Sequence, residues 1–179
     1  MPKRRFAILL VVAMFGALAF AVLAQTVLQH EPSSGPFSAR VLRAVDGDTL
    51  VVQPLLGSPE RVRVIGVDTP EDVAPGRPVQ CWSRRAAAFT KHALEGREVV
   101  LVPGHERHDR YGRTLAYVTR SDGFVLEDAL LRGGFARTLA IAPNVDHAAH
   151  YSTLELSARR AGRGLWGACP GALAWAASR

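Results

Sequence analysis

The chain has 179 residues, room for one domain with a real core and a tail. Its 22 basic and 16 acidic side chains give a net charge of +6. Setting aside Lys3, Arg4 and Arg5 leaves 19 against 16, a balance too even to identify a nucleic-acid partner by charge alone. Lysine occurs only at positions 3 and 91, so nearly every positive charge is a guanidinium, which suits bidentate phosphate contacts but also follows from arginine-rich codon usage. Cys81 and Cys169 lie 88 positions apart, which excludes a zinc knuckle or a Cys-x-x-Cys redox pair.

Residues 1–24 read as a targeting segment. Lys3-Arg4-Arg5 precedes an unbroken apolar run of 19 residues from Phe6 to Ala24. That length falls between a signal-peptide core, ~7–15 residues, and a spanning helix, about 20. Cleavage after Ala24 and retention of residues 6–24 as a membrane anchor both stay open. Either outcome exports the domain, to the periplasm or exterior or to the outer face of the membrane. In an exported protein Cys81 and Cys169 most simply form one disulfide, with two free thiols as the alternative. Residues 25–37, with Pro32, Gly35 and Pro36, have linker composition. The folded domain is expected over 38–168, with a C-terminal tail at 169–179.

From Ser38 the pattern turns to β. Residues 39–45 and 49–53 are rich in Val and Leu and flank Asp46-Gly47-Asp48, a tight-turn signal. Arg61 to Val67 alternates as a third strand, with Val62 and Val64 on one face and Arg61 and Arg63 on the other. A loop follows. Then Trp82, Ala86, Phe89 and Ala93 recur at helical spacing up to Gly96. Strands are predicted over 98–102 and 115–119, separated by a polar loop at 105–109. A short helix over 125–132 stops at Gly133-Gly134. A last helix carries Tyr151, Leu154, Ala158, Ala161 and Leu165. Five short strands, one helix after the third and two after the fifth, describe an α+β fold, a five-stranded OB-fold barrel capped by about three helices.

Asp46, Asp48, Asp68 and Glu71, with Arg61 and Arg63, put much charge into little more than one hairpin. Unpaired buried carboxylates are costly, so these acids either form a solvated face or converge on a cation. Asp48 and Asp68 are hard oxygen ligands suited to Ca²⁺ or Mg²⁺. Glu71 is a candidate general base. Arg63 and Arg113 are candidates to clamp a phosphate in forked geometry. Arg63 and Asp68 are five apart and would point to opposite faces of an ideal strand, so the chain must bulge or turn near Gly66 or at Thr69-Pro70.

Val-Asp-Gly-Asp-Thr at 45–49, Arg63 followed by Asp68-Thr69-Pro70-Glu71, and Asp-Arg-Tyr-Gly-Arg at 109–113 resemble the thermonuclease (staphylococcal-nuclease-like) family. Ala87 to Lys91, Leu115 to Val118 and Gly164-Leu165-Trp166 extend the resemblance over roughly Ser38 to Trp166. The resemblance implies an OB-type barrel with three helices. It also implies Ca²⁺-dependent endonucleolytic cleavage of DNA and RNA at the 5′ O–P bond. The metal ligands would be Asp48, Asp68 and the carbonyl of Thr69, and Glu71 would act on the water. Arg63 and Arg113 would bind phosphate, Tyr111 would line the nucleotide pocket, and Asp46 would be a turn residue. The stretch from Phe135 to Asn144 lacks the tyrosines that the family's secreted nuclease carries beside that pocket.

Other residues read more plainly. His147, His150 and Asp146, and the group His105, Glu106, His108 and Asp109, are surface or loop residues before they are metal ligands. Trp82 reads as core and Trp166 as packing at a helix end. Arg159, Arg160 and Arg163 form a solvated basic edge. The alternative function is a nucleic-acid-binding OB-type module without chemistry; a third is an envelope adhesion module, for which the acids and arginines would be coincidence. A scaffold has no need of Asp48, Asp68, Glu71, Arg63 and Arg113 together, so the sequence favours the enzyme. DNA or RNA is the expected partner, no protein partner is implied, and a monomer suffices.

Overall fold

Strands with alternate apolar residues must bury one face, and here five of them do so by closing on one another. The computed structural model describes residues 35–71, 79–169 and 171. The targeting segment expected at 1–24, the linker up to residue 34 and the tail from 172 lie outside the described residues. The strands are β1 (Phe37–Ala44), β2 (Thr49–Pro54), β3 (Glu60–Val64), β4 (Gly66–Asp68), β5 (Glu98–His108), β6 (Thr114–Arg120) and β7 (Arg137–Leu139). The helices are α1 (Ser83–Leu94), α2 (Leu126–Gly133), α3 (Ala148–Arg160) and the single turn α4 (Leu165–Ala168).

The barrel order is β1-β2-β3-β6-β5, closing from β5 back to β1. Its pairings are antiparallel except β3 with β6, which is parallel. This is the expected OB-type α+β architecture. Val41, Leu50, Val52, Val62, Val64, Leu101, Ala116 and Val118 fill the barrel. Leu126, Leu130 and Leu131 of α2 and Tyr151 and Leu154 of α3 belong to the same core. Along the α1 stripe Ala86 and Ala93 are buried, and Phe89 stacks on Phe135 with ring centroids 4.5 Å apart. Trp82 is only half-buried, at the position before the helix.

Three elements depart from the sequence expectation. The third strand is broken: β3 ends at Val64, Gly66 takes φ +81°, and β4 leaves the barrel to pair with β7. Gly66 is required twice, because a Cβ would also collide with the ring of Tyr151. β5 continues through residues 105–108, expected as loop. Its pairing with β6 shifts register between Pro103 and His108, so a polar arm stays extended without a buried face to mark it. Finally, α3 stops at Arg160, and Gly162 and Gly164 at φ +58° and +56° separate it from Leu165 in α4.

The sulfurs of Cys81 and Cys169 are bonded, joining the entry to α1 with the end of α4. The cross-link closes 88 residues, so Cys81→Ser with Cys169→Ser, or reduction, is expected to lower stability by about 3–4 kcal/mol. A fall in the urea midpoint, with a steeper slope because the uncrosslinked denatured chain exposes more surface, would register it.

Glu127, at the start of α2, is fully buried. One oxygen accepts the Val118 amide at 2.8 Å, and the other has no hydrogen-bond partner. Burial pushes its carboxyl from 4.5 to about 8. The folded chain therefore binds a proton that the unfolded chain has released over that interval, and stability falls as pH rises from about 4.5 to about 8. Glu127→Gln is expected to flatten this slope, measured as the unfolding free energy at several pH values.

Candidate active site

The β1–β2 connection builds the first acid. The Val45 amide donates to the Thr49 carbonyl at 2.8 Å, and the Asp48 amide to Asp46 Oδ1 at 3.0 Å, so Asp46 is spent on the turn. Gly47 is there for proximity: a Cβ would lie 2.6 Å from Cγ2 of Thr69. Its carbonyl accepts the Thr90 hydroxyl of α1 at 2.7 Å. Asp48 is thereby fixed inward and buried, and its Oδ2 accepts the amide of Thr69 at 2.6 Å and its hydroxyl at 2.9 Å. Burial pushes its carboxyl up to about 6, with repulsion from Asp46 and Asp68 adding to the rise and Arg63 and the Thr69 amide opposing it.

Asp68 arrives from the other direction, at the end of β4. The turn at Gly66 resolves the face problem, because it lets Asp68 meet Arg63 although both stem from one run of sequence. Arg63 Nη1 lies 3.1 Å from Asp48 Oδ1 and Nη2 lies 3.3 Å from Asp68 Oδ1. Nη1 also donates to the carbonyls of Val64 and Val67, at 2.9 Å each, which sets the direction of the fork. On the far side Asp68 Oδ2 accepts Nε and Nη2 of Arg137 at 2.9 and 2.8 Å. Arg137 is itself buried. Sequence reasoning missed this residue. The available signal is a charge between the apolar residues Phe135-Ala136 and Leu139, where burial demands an acidic partner.

A second carboxylate hub places Arg113. Asp109 Oδ1 accepts the amides of Tyr111 and Arg113, both at 2.9 Å, and Oδ2 accepts Arg113 Nε at 2.6 Å. Partial burial works against the charge of Asp109, but these donors outweigh it and hold its carboxyl below the ordinary value. Tyr111 is exposed, flanked by the guanidinium groups of Arg110 and Arg113 at 4.8 and 5.5 Å from its ring centre. Glu71 is pinned through its backbone. Its amide donates to Gln80 Oε1 at 2.7 Å, and the Gln80 amide donates back to its carbonyl at 3.1 Å. Gln80 immediately precedes the disulfide at Cys81 and also went unread in the sequence.

Asp48, Arg63, Asp68, Glu71, Tyr111 and Arg113 all line one cavity of about 850 Å³. Ile141 forms part of the wall in the stretch without tyrosines. Among the described residues no three His, Cys, Asp or Glu side chains are grouped closely enough for a metal site. Two buried carboxylates still present oxygens to one guanidinium, a hard pair that fits a cation completing its shell with carbonyl oxygen and water.

The histidines disperse. His105 pairs with Asp146 at 3.2 Å and His150 with Asp128 at 2.8 Å, while His147 meets the ring of Tyr117 edge-on at 4.7 Å. The Arg159 guanidinium pairs with Glu155 and stacks 4.2 Å from the ring centre of Trp166.

A family model described as staphylococcal nuclease homologue matches residues 61–168. The chain belongs to that family. Arg63, Asp68, Glu71, Tyr111, Arg113 and Arg137 of this staphylococcal nuclease homologue lie inside the matched span, and Asp48 precedes it. It is 34% identical over 150 residues to the thermonuclease of Staphylococcus hyicus, covering 78% of this chain and 88% of that one. It is 41% identical over 138 residues to the thermonuclease of Staphylococcus intermedius, covering 72% and 79%. Endonuclease YncB of Bacillus subtilis (strain 168) is 33% identical over 126 residues, covering 69% and 59%.

Removing Arg137 takes from the buried Asp68 carboxylate its bidentate partner and leaves it the longer contact to Arg63, so Arg137→Met is expected to cost about 3 kcal/mol. Adding Asp68→Asn removes that charge, and the double variant should be more stable than Arg137→Met alone by urea denaturation.

Proposed function

We propose that this nuclease-family enzyme is an exported endonuclease that hydrolyses phosphodiester bonds of DNA, RNA or both with the help of a divalent cation, Ca²⁺ before Mg²⁺. The supporting observation is the convergence of Asp48 and Asp68 on Arg63 in the cavity that Glu71, Tyr111 and Arg113 also line. Burying two carboxylates together has a standing electrostatic cost, and a cation at that point offsets it.

Asp48, Asp68 and the carbonyl of Thr69 would hold the cation. When bound, it supplies positive charge against the phosphate oxygens and lowers the pKa of water. The chain's own residues do the rest. Arg113, pre-aimed by Asp109, and Arg63, aimed by two backbone carbonyls, meet the charge that grows on the equatorial oxygens without needing to reorganise. Glu71 takes the proton of the attacking water. Tyr111 offers an exposed ring to a base. The basic residues 3–5 and the apolar run 6–24 support export, with cleavage or anchoring as the two routes.

The test is turnover of residues 25–179 on single- and double-stranded DNA and RNA with Ca²⁺, Mg²⁺ or EDTA. Cleavage that needs a divalent cation and disappears in EDTA is expected. A folded protein that binds DNA and cuts nothing with either metal would instead favour a binding module without chemistry. Glu71→Gln is expected to lower kcat by about 10²-fold or more with little change in strand affinity.

A further inference from the structure

Of the arginines that line the cavity, Arg61 has no place in the scheme above. Arg63 is engaged by Asp48 and Asp68, Arg113 by Asp109, and Arg110 by the Tyr111 hydroxyl at 2.6 Å. Arg61 is exposed on the cavity wall and makes no ion pair among the described residues.

We propose that Arg61 binds the phosphate adjacent to the scissile one on the bound nucleic-acid strand. The inference rests on the nuclease reading of the site and adds a second subsite to it. Three features of placement carry it. Val62 and Val64 of β3 point into the barrel core, so Arg61 and Arg63 share the opposite, outward face. Two residues along a strand advance about 6.6 Å. That is close to the distance between adjacent phosphates along one nucleic-acid strand, so the two side chains keep step with a phosphodiester backbone. Lastly, the parallel ladder between β3 and β6 opens at the pair Val62–Thr114. Arg61 and Arg113 are the residues immediately before that pair, so they stand abreast where the two strands enter the ladder.

The cavity wall thus carries three arginines. In this reading Arg63 and Arg113 share the scissile phosphate, and Arg61 stands beside Arg113 and one strand repeat before Arg63. A solvated strand face would also leave an arginine exposed. It would not place that arginine in the cavity wall in step with two phosphate clamps.

The experiment measures binding and cleavage separately. Binding of a twelve-nucleotide single strand is followed in EDTA at several salt concentrations for wild type, Arg61→Ala and Arg61→Lys. Loss of one phosphate contact should reduce the slope of log K against log salt by about 0.7. Arg61→Ala should weaken binding three- to tenfold, and Arg61→Lys should restore most of the slope. With metal present, kcat/KM for the twelve-mer should fall several-fold more in Arg61→Ala than kcat/KM for a dinucleoside monophosphate, whose single phosphate leaves Arg61 nothing to hold. Unchanged thermal denaturation, expected for an exposed side chain, separates this from misfolding.

A wild type that cuts both substrates, with Arg61→Ala altering neither the slope nor the ratio of the two kcat/KM values, would overturn the subsite and leave the nuclease reading standing. A wild type that cuts nothing but shows an Arg61-dependent slope would overturn the nuclease reading and keep Arg61 as a strand contact. A wild type that binds no strand even at low salt would overturn both.

Discussion

Two carboxylates buried side by side are the constraint to which the rest of the molecule answers. Asp48 and Asp68 are each almost wholly removed from water, and the charge of Asp68 adds to the cost of charging Asp48. Arg63 lies between them, and Arg137 meets the outer oxygen of Asp68. Much of the local architecture exists to make those meetings possible. Gly47 lets Thr69 close over Asp48. Gly66 swings β4 out of the barrel. The two-stranded sheet of β4 and β7 pairs Asp68 directly with Arg137 in register. A barrel of five strands would be complete without that sheet, but Asp68 would lack its buried partner.

The part of the cavity around Asp109 solves a different problem by similar means. Asp109 is one carboxylate serving three donors from its own loop, so it rigidifies a turn instead of storing repulsion. One acid holds an arginine in the cavity wall, while two others gather an arginine between them. In both cases the donors are already oriented by the fold before anything binds.

What the sequence disclosed follows from range. Alternation of Val and Leu marked the barrel strands because each needs only its own residues to declare a buried face. The bend near Gly66 could be inferred because Arg63 and Asp68 could not otherwise reach one place. Arg137 could not be read that way. Its partner is 69 positions distant, and only the pairing of β4 with β7 brings them together. Gln80 was silent for the same reason, being one more polar residue in a loop until its amide and side chain are seen on the backbone of Glu71. The outer arm of β5 reads as loop in the sequence because a strand wet on both faces carries no period. The spacing of the last helix runs on to Leu165 because apolar residues recur across the Gly162 and Gly164 turn.

The disulfide bears on when the molecule becomes complete. A nascent chain leaves the ribosome N-terminus first, so Cys81 waits while 88 further residues are made before Cys169 appears. The barrel strands, Arg63 and both buried aspartates are all translated before that moment. Gln80, which holds the backbone of Glu71, sits next to Cys81, and the covalent fastening beside it comes almost last. A chain ending between Trp166 and Cys169 would contain every residue that lines the cavity yet could not make the cross-link beside Gln80.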